Sequence, residues 1–470
     1  MKSDIRYVST RGGTAEADFE EILLGGLAPD GGLWLPKTWP WFAAQDFRAM
    51  QGMTYAEIVA RVVQPFVDGW IKPDELLAMT RQAYAQFDHP AVIPMVQTAD
   101  NDWLLELFHG PTFAFKDLAL QLLARLMDRA LERRGERVTV LGATSGDTGS
   151  AAIAGCAGRR NMDIFILFPR GRVSDIQRRQ MTTVVAGNVH CIAIEGTFDD
   201  CQSLVKAMFN DTAFATSRRL TAVNSINWTR IVAQAAYCVA AAVRLGAPDR
   251  KVAFSIPSAN FGACLAAWCA VKMGLGVDRL VVATNANDIL HRFIQTGHYT
   301  PREVVATLSP SMDIQISSNF ERLLFELYDR DGNSIQRLMG RLPRLGSFDV
   351  TARALMRARS IIASHRLDDD GIIAEMRRMW REYGVMVDPH TACGTAAARG
   401  VGIDADVPVI MHAQAHPAKF PEAVAAALGE PLKSPAKLSS IQGLTENMTT
   451  LPNDVDIVQG YVRDNTEADG

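Results

Sequence analysis

No apolar run in this chain reaches the roughly 18 residues that a membrane-crossing helix needs. The opening stretch, Met1 to Arg11, carries Lys2, Asp4, Arg6 and Arg11 and lacks an apolar centre, so it is not expected to be a signal peptide. Cysteine is sparse: seven residues, at 156, 191, 201, 238, 264, 269 and 393. Their number is odd and none forms a C-x-x-C pair, which argues against a disulfide framework and a structural zinc site. Charge of one sign is not in excess either. A formal net charge of −4 implies no basic face for nucleic acid. With 470 residues, 48% hydrophobic and 21% charged, the chain has the make-up of a globular protein of two or three domains. The expectation is a cytoplasmic enzyme, with no nucleic acid and no membrane among its partners.

Residues 1–95 read as a separate, mainly helical domain. Pro29-Asp30-Gly31-Gly32 marks a turn, and helical spacing runs through Phe47–Met50, Tyr55–Gln64 and Ala78–Phe87, with Pro65 expected to end the second. Trp34, Trp39 and Trp41 are expected to be core or domain-contact residues. From about residue 100, short apolar runs alternate with helical stretches. Val138–Leu141, Ile164–Phe168, Val189–Ile194, Val252–Ile256, Leu280–Thr284 and Val407–Met411 read as strands. This alternation predicts an α/β protein with two parallel-sheet domains, 96–250 and 251–470. The Arg-rich stretch 329–381 reads as an insertion with a solvated helical face, and the tail after Val462 as loose.

Lys116 stands out, between a Gly110-Pro111 turn and a helix start, with Phe113, Phe115 and Leu118 around it. Lysine is rarely buried without a reason. Either it anchors a carbonyl cofactor as a Schiff base, or it snorkels off a half-buried helix; this window alone leaves both open. Two loops follow strands and precede helices, where free N–H groups favour an anion. In the first, Thr144–Ser150, Asp147 disfavours a phosphate. A carboxylate is the better ligand, with Asp147 turned away or capping the helix. The second, Ser258–Gly262, has no acid and is the better phosphate loop; judged alone, each loop also reads as a plain strand–helix connection. Neither loop is G-x-G-x-x-G or G-x-x-x-x-G-K-[ST], so dinucleotides and nucleoside triphosphates lack their signatures. One amine, one phosphate cradle and one carboxylate loop together suit pyridoxal phosphate.

Other polar groups leave alternatives open. Asn224 or Asn227 either lines a cleft or caps the helix Ile231–Ala241. His412, placed just past its strand, and His416 and Lys419 have no H-E-x-x-H context, so no metal is expected. His390 and Cys393 form a nucleophile pair only on paper, and a buried, inert cysteine is the plainer reading.

Phe108 to Asp117 resembles the cofactor-lysine motif of the threonine synthase family, within the tryptophan-synthase-β-like (fold type II) pyridoxal phosphate enzymes. Tyr7–Gly12, Thr144–Ser150, Asn224–Ile231, Pro310–Phe325, Asp388–Gly394 and Ala415–Phe420 resemble further family motifs. The resemblance implies that Lys116 is the Schiff-base lysine and proton shuttle. It implies that Ser145, Gly146, Asp147 and Thr148 receive the substrate α-carboxylate, and that Ser258, Ala259, Asn260, Phe261 and Gly262 surround the cofactor phosphate. The implied reaction turns O-phospho-L-homoserine and water into L-threonine and phosphate, by a monomer or homodimer. Arg11, Lys419 and Arg230 become candidates to meet the leaving phosphate. Two positions depart from the family pattern. Ala259 replaces a glycine and would be strained if that glycine needed positive φ. Gln414 replaces a threonine expected near the pyridine nitrogen, where its amide donates or accepts. The alternatives are another fold type II enzyme eliminating or replacing a group on a different amino acid, or a non-catalytic binding descendant.

Overall fold

The computed structural model describes residues 5–13, 15–222, 225–430 and 432–466. Asn224, the early residues Lys2 and Asp4, and the last four residues of the tail lie outside them. The chain forms two compact units. One comprises Met1–Phe115 and Ser225–Leu432, the other Lys116–Asn224 and Lys433–Gly470.

The first unit holds a six-stranded sheet. Its order is Ile362–Arg366, Val277–Thr284, Val252–Pro257, Val409–Ala413, Asp102–Glu106 and Met95–Gln97. All neighbours are parallel except the last pair. Every residue of Val252–Pro257 and Val409–Ala413 is buried, as central parallel strands covered on both faces require. His412 therefore lies within a strand rather than just past one. The stretch 329–381 is not an insertion, because Ile362–Arg366 supplies an edge strand of this sheet.

The N-terminal helices belong to the same unit. Trp228 is fully buried and takes the rings of Tyr7, Trp39 and Phe66 edge-on. Trp34 is buried as expected, whereas Trp41 is exposed. The helix Tyr55–Val67 continues through Pro65. Phe66 and Val67 are buried beyond it, so apolar packing carries the last turn past the missing N–H. The next helix spans Pro73–Tyr84, earlier than its apolar spacing suggested, because Pro73 at its first position and Asp74 and Glu75 after it favour a helix start.

The second unit holds a five-stranded parallel sheet, ordered Thr449–Pro452, Val189–Glu195, Met162–Pro169, Val138–Ala143 and Leu220–Thr221. Its edge strand Thr449–Pro452 comes from the C-terminal segment. The helix Val455–Asp464 follows and buries Val458 and Val462, so the tail is ordered through Asp464. The units do not follow the boundaries at 95 and 250. Residues 1–115 and 225–250 go with the larger sheet, and 433–466 with the smaller one. Strand spacing reveals that strands exist, but not which sheet each one joins. Among the described residues, no helix is long and apolar enough to cross a membrane.

Candidate active site

Lys116 opens the helix Lys116–Arg134 and is 8% exposed. The preceding segment is fixed by backbone bonds within the first unit. Phe115 N–H donates to the Gln414 carbonyl at 2.8 Å, and His416 N–H to that of Phe113 at 3.1 Å. Lys419 Nζ donates to the Thr112 carbonyl at 2.8 Å. Phe113 is held at φ 57, a left-handed conformation that a bulky side chain adopts only under constraint.

The loop Thr144–Ser150 shares the second unit with Lys116. Thr144 Oγ1 accepts from the N–H groups of Gly146, at 3.0 Å, and Gly149, at 2.9 Å. Ser145 is exposed and Thr148 half-buried, so their hydroxyls are the loop's accessible donors. Gly146 sits at φ 144, and a Cβ there would lie 2.4 Å from the Gln177 side chain. Gly149 serves a different need, since its Cβ would meet Thr144 at 2.5 Å. Asp147 is not turned out to solvent; it is buried beside Lys116. One carboxylate oxygen lies 3.7 Å from Lys116 Nζ, and the other accepts from Gln177 Nε2 at 2.9 Å. Sequence reasoning passed over Gln177. Ser174 and Gln177 have the spacing of a capping box, which turns the glutamine back to its own helix start. Here the Gln177 oxygen takes the Ser174 hydroxyl while its NH2 group reaches Asp147.

The loop Ser258–Gly262 lies in the first unit, between the strand Val252–Pro257 and the helix Gly262–Lys272. Ala259 has no positive φ; the left-handed residue is Phe261, at φ 61. The condition under which Ala259 would be strained is therefore not met. Phe261 is buried edge-on against Phe320 and begins the helix without a side-chain cap. Asn260 is held by its neighbours. Its side-chain oxygen accepts from Ser318 Oγ at 2.9 Å, and its carbonyl from Asn319 N–H at 3.1 Å. An uncapped first turn of eleven residues' helix has N–H groups to offer an anion.

Gln414 follows the strand Val409–Ala413 and is buried, with Nε2 lacking a hydrogen-bond partner among the described residues. Its backbone is clamped. Gln414 N–H donates to Thr391 Oγ1 at 2.9 Å, and Thr391 Oγ1 donates to the buried Asp388 carboxylate. Asp388 also accepts from Ala415 N–H at 3.3 Å and from His390 Nδ1 at 2.7 Å.

Three family models match the chain: threonine synthase N terminus over residues 6–84, pyridoxal-phosphate dependent enzyme over 99–338, and threonine synthase C-terminal over 391–462. The chain is 48% identical to a threonine synthase of Pseudomonas aeruginosa, over 97% of its own length and 98% of the relative's. The chain belongs to the threonine synthase family. The crystal structure of the family's pyridoxal-phosphate-bound member from Brucella melitensis is similar with a TM-score of 0.97. Identity is 49%, and 99% of this chain and 100% of that one are covered. The yeast member's structure gives a TM-score of 0.94 at 36% identity, covering 99% of each chain.

The chain is thus a pyridoxal-phosphate-dependent enzyme with the tryptophan-synthase-β-like fold, and its own residues fit that cofactor. A buried amine is present at Lys116. An uncapped helix start after a strained Phe261 suits a phosphate. Gln414 Nε2 is a buried donor without an acceptor among the described residues, which a ring nitrogen would satisfy.

The three candidate cations differ sharply. Arg11 is engaged by Glu321 through Nε at 3.0 Å and Nη2 at 2.9 Å. Lys419 is buried on the Thr112 carbonyl. Arg230 is 3% exposed, and its Nε and Nη1 have no hydrogen-bond partner among the described residues. Burial pulls its guanidinium down to about 10. Asn227 caps this helix, its side-chain oxygen accepting from Thr229 N–H at 3.0 Å, so the capping alternative holds for Asn227. The buried Cys393 thiol is raised far above its ordinary value by desolvation, which makes it inert rather than nucleophilic.

Proposed function

We propose that the chain converts O-phospho-L-homoserine and water to L-threonine and inorganic phosphate, with Lys116 as the lysine that bonds the cofactor and moves protons. The single observation that carries this reading is the buried amine of Lys116 at a helix start, facing a carboxylate. When bound, pyridoxal phosphate supplies an electron sink for the charge left on a substrate carbon. Lys116 then has the role of taking the proton from Cα and returning it, since one amine within hydrogen-bond reach can serve successive transfers. Ser145, Gly146, Asp147 and Thr148 form the loop that receives the substrate carboxylate, with the Ser145 and Thr148 hydroxyls as donors. Ser258, Ala259, Asn260, Phe261 and Gly262 hold the cofactor phosphate at the helix start, with Asn260 kept in place by Ser318 and Asn319.

Gln414 donates to the pyridine nitrogen through Nε2. An uncharged amide does not force that nitrogen to carry a proton, so this departure from threonine is compatible with the family's chemistry. Arg230 meets the substrate's phosphate. A buried guanidinium with two nitrogens unpaired among the described residues is costly until an anion arrives. Its helix also abuts the phosphate loop: the Gly262 Cβ position lies 3.8 Å from Ile231.

The reduced cytoplasm is the proposed compartment, in keeping with seven free, buried cysteines. A monomer or homodimer is the proposed assembly. The test of function is direct: purified holoenzyme given O-phospho-L-homoserine should release threonine and phosphate in equal amounts. Phosphate release with a different amino-acid product would contradict the assignment.

A further inference from the structure

Asp147 sits badly with the task of binding an anion. A carboxylate is a poor neighbour for a substrate carboxylate, so Asp147 in this loop calls for another partner. The structure supplies one. Side-chain exposure is only 10% for Lys116 and 4% for Asp147, and the two charged groups stand 3.7 Å apart. The orientation of the carboxylate is built, not incidental. Ser174 Oγ bonds Gln177 Oε1 at 3.0 Å, which leaves the Gln177 NH2 group to donate to Asp147 Oδ1 at 2.9 Å. Asp147 Oδ2 is then the oxygen nearest Lys116. Gly146 makes room for this arrangement, because any side chain there would occupy the place of the Gln177 amide. Ser174, Gln177, Asp147 and Lys116 thus form one chain of contacts inside the second unit, which loop capping alone does not explain.

We infer that Asp147, oriented by Gln177, is the counter-charge that holds the Lys116 side chain as an ammonium ion until the cofactor is captured, and is not itself a ligand of the substrate. The inference rests on the reading of Lys116 as the cofactor lysine. Its consequence is kinetic. Capture requires the free amine: the ammonium proton passes to solvent and Nζ attacks the aldehyde carbon of pyridoxal phosphate. The carbon–nitrogen double bond forms, and the aldehyde oxygen leaves as water. A carboxylate beside the amine favours the charged form and so lowers the fraction able to attack. Asp147 and Gln177 are accordingly positioning residues, acting through Lys116.

The test follows the visible absorbance that develops when apoenzyme is mixed with pyridoxal phosphate at neutral pH. Asp147→Asn should capture the cofactor roughly tenfold faster than wild type, or more, as loss of an opposite charge beside the amine implies. Gln177→Leu should change the rate in the same direction by less. Both should reach the wild-type final absorbance per chain. A merely structural role predicts slower and less complete capture, so the direction of the change separates the two. An unchanged or slower rate in Asp147→Asn overturns the inference. If that variant does not fold, an unchanged or slower rate in Gln177→Leu does so. Lys116→Ala should show no covalent capture. Capture in that variant would overturn the assignment of the lysine itself, a failure distinct from the other.

Discussion

A lysine buried at the first position of a helix avoids the cost of a desolvated charge either by losing its proton or by facing a carboxylate. Lys116 takes the second course, with Asp147. Arg230 has neither option: its guanidinium is buried with two nitrogens unpartnered among the described residues. That asymmetry gives a prediction. Arg230→Met should raise the KM for O-phospho-L-homoserine by an order of magnitude or more, as loss of a charge-assisted contact worth about 1.5–3 kcal/mol implies. The cofactor's visible absorbance should stay unchanged. Loss of the cofactor instead would assign Arg230 to the cofactor phosphate. At this scale the sequence singled out Lys116 and both loops, because residue type and spacing mark them as candidates. It did not show that the left-handed strain falls on Phe261 instead of Ala259, since backbone path is a property of the whole loop. Nor did it separate Arg11, Lys419 and Arg230. All three are plain cations in the sequence, and only their partners distinguish them.

Elements were legible where period and punctuation agreed. Each of the six expected strands is present, and the helices after both anion loops begin within a few residues of their expected starts. Those starts matter chemically. The helix Gly262–Lys272 has no side-chain cap, and its free N–H groups are what a phosphate needs. The helix Trp228–Arg244 differs, because Asn227 caps it while also donating to the Leu23 carbonyl at 2.9 Å. One asparagine thus fixes the helix carrying Arg230 and ties it to the N-terminal segment. Pro65 and the edge strand Ile362–Arg366 were less legible. In both, tertiary packing overrides a local signal: buried Phe66 and Val67 in one case, sheet pairing in the other.

The arrangement of the whole molecule was the least legible in sequence. The chain leaves the larger sheet at Phe115, returns at Ser225 and departs again after Leu432, so no single cut separates the two units. The interior of the larger unit carries a titratable group that ties stability to pH. His412 is fully buried between Tyr237 and Phe254, both ring nitrogens lack partners among the described residues, and desolvation pulls it down to about 3. Below an unfolded value of about 6.5, the unfolded chain binds a proton that the folded chain refuses. This contribution is therefore fully present above that value and is lost as pH falls toward the folded value. Between pH 7 and pH 5 the loss is on the order of 2 kcal/mol. His412→Leu should flatten the decline in unfolding free energy over that range. An unchanged slope in denaturant titrations would show that this histidine is not the source. The central claim is narrower: that Lys116 bonds the cofactor. Its most direct test is borohydride reduction of the purified holoenzyme, followed by peptide mass spectrometry. The account predicts a phosphopyridoxyl group on Lys116 in close to one copy per chain. Labelling at another lysine, or none, would contradict it.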